Sequence, residues 1–199
     1  VTTQGEKVID HLWDVIAAKG FEKSTFFEMA TQEIRKLPKL EGTVHVNMAL
    51  VVKFMSNYLF KPAEFPDIPE RSDAEDDSFL FNQGPTKGLG QIGFHDYNIA
   101  YNSVDSPNSA SFKEQITLFK NFLVQTPPSK EQTRNIDFLL SLGELFTMIA
   151  YGQLIIERAQ MTALDPDILD QIFDMMIRDF SEYALQMYSK PSCSPEQME

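Results

Sequence analysis

Cysteine, positive charge and long apolar runs are all scarce in this chain of 199 residues. The one cysteine, Cys193, excludes a disulfide framework within the chain and a cysteine-rich structural zinc site. Acidic residues outnumber basic ones by 29 to 17, which gives a net charge of −12. Because binding to duplex nucleic acid needs a basic face, we expect no nucleic-acid partner.

Membrane and export signals are missing as well. The densest apolar run extends only from Met48 to Val52, whereas a spanning helix needs about 20 apolar residues. Gln4, Glu6 and Lys7 stand where a signal peptide would have its apolar run. We therefore expect no membrane span and a cytoplasmic protein.

What the sequence does contain is enough apolar material for a packed core, with 16 Phe, 9 Met and 6 Tyr. Apolar residues recur at helical spacing and no long run alternates apolar with polar, which predicts an all-α helical bundle. Ser24 is the expected N-cap of the second helix, Pro38 its expected end, and Asp165 with Pro166 the expected start of the last. Gly143 and Gly152 within one long helix indicate a close neighbour there. The predicted helices cover 6–19, 24–37, 43–60, 109–125, 129–163 and 166–189.

Composition changes divide the chain. Residues 62–78 carry seven acids, three prolines and the single base Arg71, and residues 82–94 add four glycines. Such a stretch repels itself and stays solvated. We therefore predict helical parts at 1–60 and 95–189, an acidic Pro/Gly-rich linker at 61–94, and a loose tail at 190–199.

Two common chemical patterns carry little weight here. Gly88, Gly90 and Gly93 spell GxGxxG, but the dinucleotide-binding form of this motif follows a strand, so we interpret it as a turning loop. The three histidines, His11, His45 and His95, have no second ligand at metal-binding spacing. We expect no metal site.

The triplet Glu41-Gly42-Thr43 has two interpretations. In one, Thr43 caps the helix over 43–60, which we expect to be buried on most sides, and Glu41 is solvated. In the other, Glu41 is a general base whose pKa rises because it is desolvated beside a buried helix. The N–H groups at the helix start would then hold an anion or a flavin oxygen.

The segment GFEKSTFFEMATQEIRKLPKLEGTVHVN, residues 20–47, resembles the C-terminal signature of the acyl-CoA dehydrogenases. Gly20-Phe21 stands where that family has Gly-Tyr. Glu41-Gly42-Thr43 follows without a gap where the family has its catalytic triplet. The helix after it then matches the last helix of the family's catalytic bundle, so residues 1–60 would end that bundle and 95–189 would be the helical extension of longer relatives.

The resemblance implies the C-terminal portion of an FAD-dependent enzyme that oxidises acyl-CoA to trans-2-enoyl-CoA. Glu41 would abstract the α-proton, Gly42 would lie against the acyl chain, and Thr43, Val44 and His45 would border FAD. A homo-oligomer and an electron-transfer acceptor are the expected protein partners. A non-catalytic helical association module derived from such an enzyme and an acyl-CoA oxidase remain alternatives. We expect the 199-residue chain alone to bind little FAD.

Overall fold

The structure is a computed structural model that describes residues 2–40, 42–64, 81, 88 and 92–198. In these ranges the regular structure is helical, apart from one isolated bridge between Pro62 and Phe94, and the all-α prediction is confirmed. The chain divides into two compact units, Val1–Met48 and Ala49–Glu199. The helices are α1 (Thr2–Ile16), α2 (Phe26–Leu40), α3 (Val44–Phe60), α4 (Asn98–Asn102), α5 (Pro107–Gln125), α6 (Ile136–Thr162), α7 (Pro166–Tyr188) and α8 (Pro195–Met198).

The first unit is a hairpin of α1 and α2. Lys39 Nζ lies 3.1 Å from Glu6 Oε1, and Arg35 pairs with Asp10, so the two helices run antiparallel. These ion pairs are exposed, and pairs of that kind contribute only about 0–1 kcal/mol each. Ile9 is the buried apolar residue of α1. The unit therefore has a small core.

A 3-10 turn, Ala17–Phe21, joins the two helices and brings Gly20 against the indole of Trp13. A Cβ on Gly20 would stand 2.5 Å from Trp13 Nε1. The Trp13 ring also makes edge contacts with Phe21 and Phe27, with centroids 5.1 and 5.7 Å apart. Glycine is thus required at position 20 by the close approach of the indole.

The expected start of α2 was wrong by one residue. Thr25, not Ser24, caps the helix: its Oγ1 accepts from the Glu28 N–H at 3.2 Å. Glu28 Oε2 in turn accepts from the Ser24 N–H at 2.6 Å, a reciprocal arrangement close to a capping box. Ser24 itself has a φ of +61°.

The expected end of α2 at Pro38 was also wrong. Proline lacks one N–H and removes a single bond of the helix ladder. The helix nevertheless continues to Leu40, and Lys39 Nζ donates to the Arg35 carbonyl at 2.9 Å.

The second unit is built around α6. Helix α7 packs against both α5 and α6, and α4 packs against α6. The core holds aromatic and aliphatic side chains without accessible surface, among them Phe112, Phe138, Ile149 and Phe173. The later part of α3 joins this core through Met55, Tyr58 and Leu59.

Local capping sets the helix ends in this unit. The Asp165 side chain accepts from the Asp167 N–H with Pro166 at the first helical position, as predicted. Helix α6 begins later than the predicted residue 129, because the 3-10 turn Gln132–Arg134 intervenes and Asn135 caps the helix.

Helix α6 also meets the length and composition of a membrane span, but half of its apolar window is buried. A helix at the core of a bundle has the same properties, so this is weak support for a span.

Two predictions concern the segments outside the helices. Residues 65–80, 82–87 and 89–91 of the predicted linker lie outside the described residues. The prediction of a loose tail was wrong for 190–198: Lys190 Nζ lies 2.6 Å from Asp137 Oδ1, and Cys193 is buried. Polar groups on α6 and the turn before it hold this segment in place.

Candidate functional site

The predicted catalytic triplet lies between α2 and α3. Glu41, the predicted base, lies outside the described residues, so its environment stays a prediction. Gly42 is half-buried, Thr43 is exposed, and α3 begins at Val44. The triplet therefore precedes the helix directly, as the sequence predicted.

Gly42 has a backbone conformation that favours glycine. Its φ is +88°, in the region that side chains with a Cβ rarely adopt. A Cβ there would also stand 3.0 Å from Asn47 Oδ1. Asn47 Nδ2 donates to the Gly42 carbonyl at 3.4 Å. The conformation and the neighbouring asparagine together explain why this position before α3 is a glycine.

Thr43 caps α3, as one of the two interpretations predicted. Its Oγ1 accepts from the Val46 N–H at 3.4 Å, and its carbonyl accepts from the Asn47 N–H at 3.0 Å. The N–H groups of Val44 and His45 belong to the first turn and have no intrahelical acceptor. Such donors at a helix start suit an anionic or carbonyl oxygen. Capping by Thr43 and binding of an oxygen at this turn are thus compatible.

These residues fit a flavin in part. The first turn of α3 supplies donors, and the side chains of Thr43 and His45 are exposed and accessible. The cavities described below are lined by other residues, so Gly42 to His45 would form one border of a cofactor site and not its enclosure.

The expected burial of α3 was wrong for its first half. Val46 is 63% exposed and Leu50 is 40% exposed, whereas Met55, Tyr58 and Leu59 are buried. An apolar sequence all round a helix indicates that neighbours cover it. For the first half of α3 the described chain does not provide that cover.

Exposed apolar stripes are the main surface feature of the first unit. On α1, Val8, Leu12 and Val15 recur at spacings of four and three and are all exposed, Val15 by 80%. On α2, Phe26, Met29, Leu37 and Leu40 fall on one helical face and are exposed as well. We call these two sets the α1 stripe and the α2 stripe. Apolar residues at this density on a small unit are typical of a surface that another protein surface covers.

A chain of buried tyrosines in the second unit was not predicted. The Tyr58 hydroxyl donates to Gln153 Oε1, and Gln153 Nε2 donates to Glu157 Oε1 at 2.7 Å. The Tyr101 hydroxyl donates to the Ile149 carbonyl at 2.7 Å. Burial raises the pKa of both Tyr58 and Tyr101 far above the ordinary value for tyrosine. Both therefore stay neutral donors, and these contacts are structural.

Cavities lie in both units of the described part of the chain. One of 260 Å³ lies in the first unit beside Trp13, Phe21 and Thr31. One of 580 Å³ is lined by residues of 125–135 and 191–197, most of which are of polar type. A third, of 650 Å³, lies between α5 and α7 and has mostly apolar walls, including Phe119, Phe122, Phe180 and Met187. Sequence periodicity places these residues on inward faces but cannot show that the faces leave a groove.

The sequence also raised a GxGxxG pattern and the question of a metal site. Gly90 of the GxGxxG pattern lies outside the described residues, and Gly88 is exposed. Within the described ranges, no group of three or more His, Cys, Asp or Glu side chains could hold a metal ion.

Comparisons with family models, with curated proteins and with solved structures found no match for this chain.

Proposed function

We propose that this chain is the C-terminal portion of an FAD-dependent acyl-CoA dehydrogenase in which Glu41 is the catalytic base. The observation that carries the proposal is the position of Gly42. It follows the Gly20-Phe21 pair at the family's spacing, it has a φ of +88°, and α3 begins two residues later. A glycine confined to this conformation directly before a helix supports the match to the family's catalytic triplet.

In the proposed reaction, the Glu41 carboxylate takes the α-proton of an acyl-CoA thioester. FAD, when bound, would supply the acceptor for the hydride of the β-carbon, and the electron pair that the departing α-proton leaves behind would form the double bond of a trans-2-enoyl-CoA. Gly42 adds no side chain beside the acyl group. Thr43, Val44 and His45 would border the cofactor, and the first turn of α3 would offer N–H donors to a cofactor oxygen.

Replacing Glu41 by Gln in the intact enzyme tests this role. Because a glutamine cannot accept the α-proton, we expect turnover to fall by about 100-fold or more, the general range for loss of a general base. Formation of the enoyl-CoA and flavin absorbance are measured together, so a variant that fails to hold FAD is recognised. Glu33→Gln, an exposed residue on α2, is the matched control. Unchanged turnover in Glu41→Gln would reject the assignment.

The acyl-CoA oxidase alternative uses the same base and flavin. The same enzyme assayed with oxygen as the acceptor separates the two: peroxide formed at the rate of enoyl-CoA favours the oxidase. A dehydrogenase needs a separate electron-transfer partner.

The exposed stripes favour a second candidate, a helical association module without catalysis. The α1 and α2 stripes would then pair with a second copy, giving the homo-oligomer. Leu12→Glu places a charge in the α1 stripe and should shift sedimentation of the chain towards the monomer. The control Met161→Glu changes an exposed apolar residue of the second unit. A chain that is monomeric at every concentration tested would argue against association through these stripes.

A further inference from the structure

The last described residues, 190–198, form part of the wall of the apolar cavity between α5 and α7. We call this segment the strap. Cys193, Gln197 and Met198 of the strap line the same 650 Å³ cavity as Phe119 and Phe180. The strap therefore covers one end of an apolar groove that the helices leave open.

Two glutamines hold the strap to the turn before α6. Gln132 Nε2 donates to the Ser192 carbonyl and to Gln197 Oε1, both at 2.6 Å. Gln197 Nε2 donates to the Thr126 carbonyl at 3.1 Å. We call this pair of side chains the glutamine clasp. It joins the strap to the α5–α6 connection at two points, Thr126 and Gln132.

The orientation of Gln132 is set by its own turn. Gln132 Oε1 accepts from the Ser129 N–H at 2.9 Å, and Ser129 Oγ accepts from the Gln132 N–H at 3.2 Å. Its amide nitrogen must therefore face the strap. Gln132 is only 7% exposed, so the clasp is a buried polar contact in which each broken bond leaves a group unpaired.

Apolar burial contributes little to holding the strap. Cys193, at 7% exposure, is its buried apolar residue, and α8 has no buried residue. The helices beneath it bury many large aromatic side chains instead. Segments held by few apolar contacts open at lower free energy than the core. The strap should thus open while α5, α6 and α7 stay folded.

We propose that the strap is an intramolecular lid of the α5–α7 groove, which opens as one piece when the glutamine clasp breaks. Opening exposes Phe119, Phe122, Phe180 and Met187 on a folded protein. The clasp thereby sets how often this apolar surface is accessible.

Cys193 reports this opening, because it is the only cysteine of the chain and its side chain is buried in the closed strap. The rate at which a maleimide labels Cys193 is measured without denaturant and at low urea. In the wild-type chain we expect slow labelling that low urea barely changes, because a local opening exposes little new surface. Gln132→Ala removes both hydrogen bonds that Gln132 Nε2 donates to the strap and should raise the rate about tenfold or more, a change of about 1.4 kcal/mol. Gln160→Ala, which loses an exposed bond to Ser103 far along α6, is the matched control and should leave the rate unchanged.

A second readout distinguishes opening from unfolding. Urea unfolding of each variant is followed by circular dichroism, which gives the change in the free energy of unfolding. The proposal requires Gln132→Ala to raise the labelling rate of Cys193 by a larger factor than that change in free energy predicts. Two results would overturn the proposal. One is labelling of Cys193 in the native wild-type chain as fast as at a urea concentration that unfolds it. The other is a labelling rate that changes among the variants only as much as their free energy of unfolding predicts.

Discussion

The substitution Gly152→Ala tests the packing at the centre of the second unit. Alanine is normally the better helix former by about 1 kcal/mol. Here a Cβ would stand 2.2 Å from Tyr101 Oη and 3.2 Å from Met176 Cε. Tyr101 is 1% exposed and its hydroxyl is bonded to the Ile149 carbonyl. Because the ring is enclosed in the core and its hydroxyl is bonded, the steric effect should outweigh the helical gain.

The magnitude follows from two costs. Overpacking a well-filled core costs about 1–3 kcal/mol. Displacing the Tyr101 hydroxyl from Ile149 leaves buried polar groups unpaired, which costs about 1–3 kcal/mol more. With the helical gain subtracted, we expect Gly152→Ala to lower the free energy of unfolding by about 3 kcal/mol, within a range of roughly 1–5.

The assay is urea unfolding followed by near-ultraviolet circular dichroism of the tyrosines, all six of which lie in the second unit. Fluorescence of Trp13, the only tryptophan, reports the first unit separately. Tyr101→Phe removes the atom at 2.2 Å, so the double variant should be less destabilised than the sum of the single ones by about 1 kcal/mol or more. Gly88→Ala, where a Cβ meets nothing within 4 Å, is the control. A Gly152→Ala chain as stable as the wild type, or strict additivity with Tyr101→Phe, would refute the reasoning.

Three further substitutions test single features of the structure, two of them at glycines and one at a carboxylate. Gly20→Ala pushes a Cβ into the Trp13 indole and should destabilise the first unit by about 1–3 kcal/mol, seen as a lower urea midpoint of Trp13 fluorescence. Gly42→Ala meets an unfavourable positive φ and should cost about 1–2 kcal/mol; unchanged thermal stability would contradict the conformation described. Hydrogen bonds from Ser106 and Asn108 hold the pKa of Asp170 below its ordinary value of 3.8. The stability this contributes is present above pH 3.8 and is lost as the pH falls through the lowered pKa, so acid unfolding curves of Asp170→Asn and wild type should converge at low pH.

Local sequence signals predicted much of the fold. Asp165 and Pro166 mark the start of α7 because a cap and a proline act within one turn of the helix. The pattern predicted a close neighbour at Gly152, and the structure identifies it as Tyr101. The start of α3 after Gly42 was predicted to within a residue. Each of these depends on groups only a few residues apart or on the absence of a Cβ.

Other features depend on contacts between distant residues. Helix α2 continues past Pro38 although proline usually ends a helix. The strap is ordered because Gln132 and Gln197, 65 positions apart, meet across the end of the bundle. Nothing in the polar, proline-containing composition of 190–198 predicts this contact.

The amino-acid sequence by itself determined which segments are helical and which of their faces are apolar, since both properties follow from spacing along one chain. Only the tertiary structure decided which apolar faces find cover. Residues such as Phe112 and Phe173 are enclosed by neighbouring helices, whereas the α1 and α2 stripes and the first half of α3 are exposed. Burial is a relation between surfaces from separate parts of a molecule, and hydrophobic spacing within one helix carries no information about its partner.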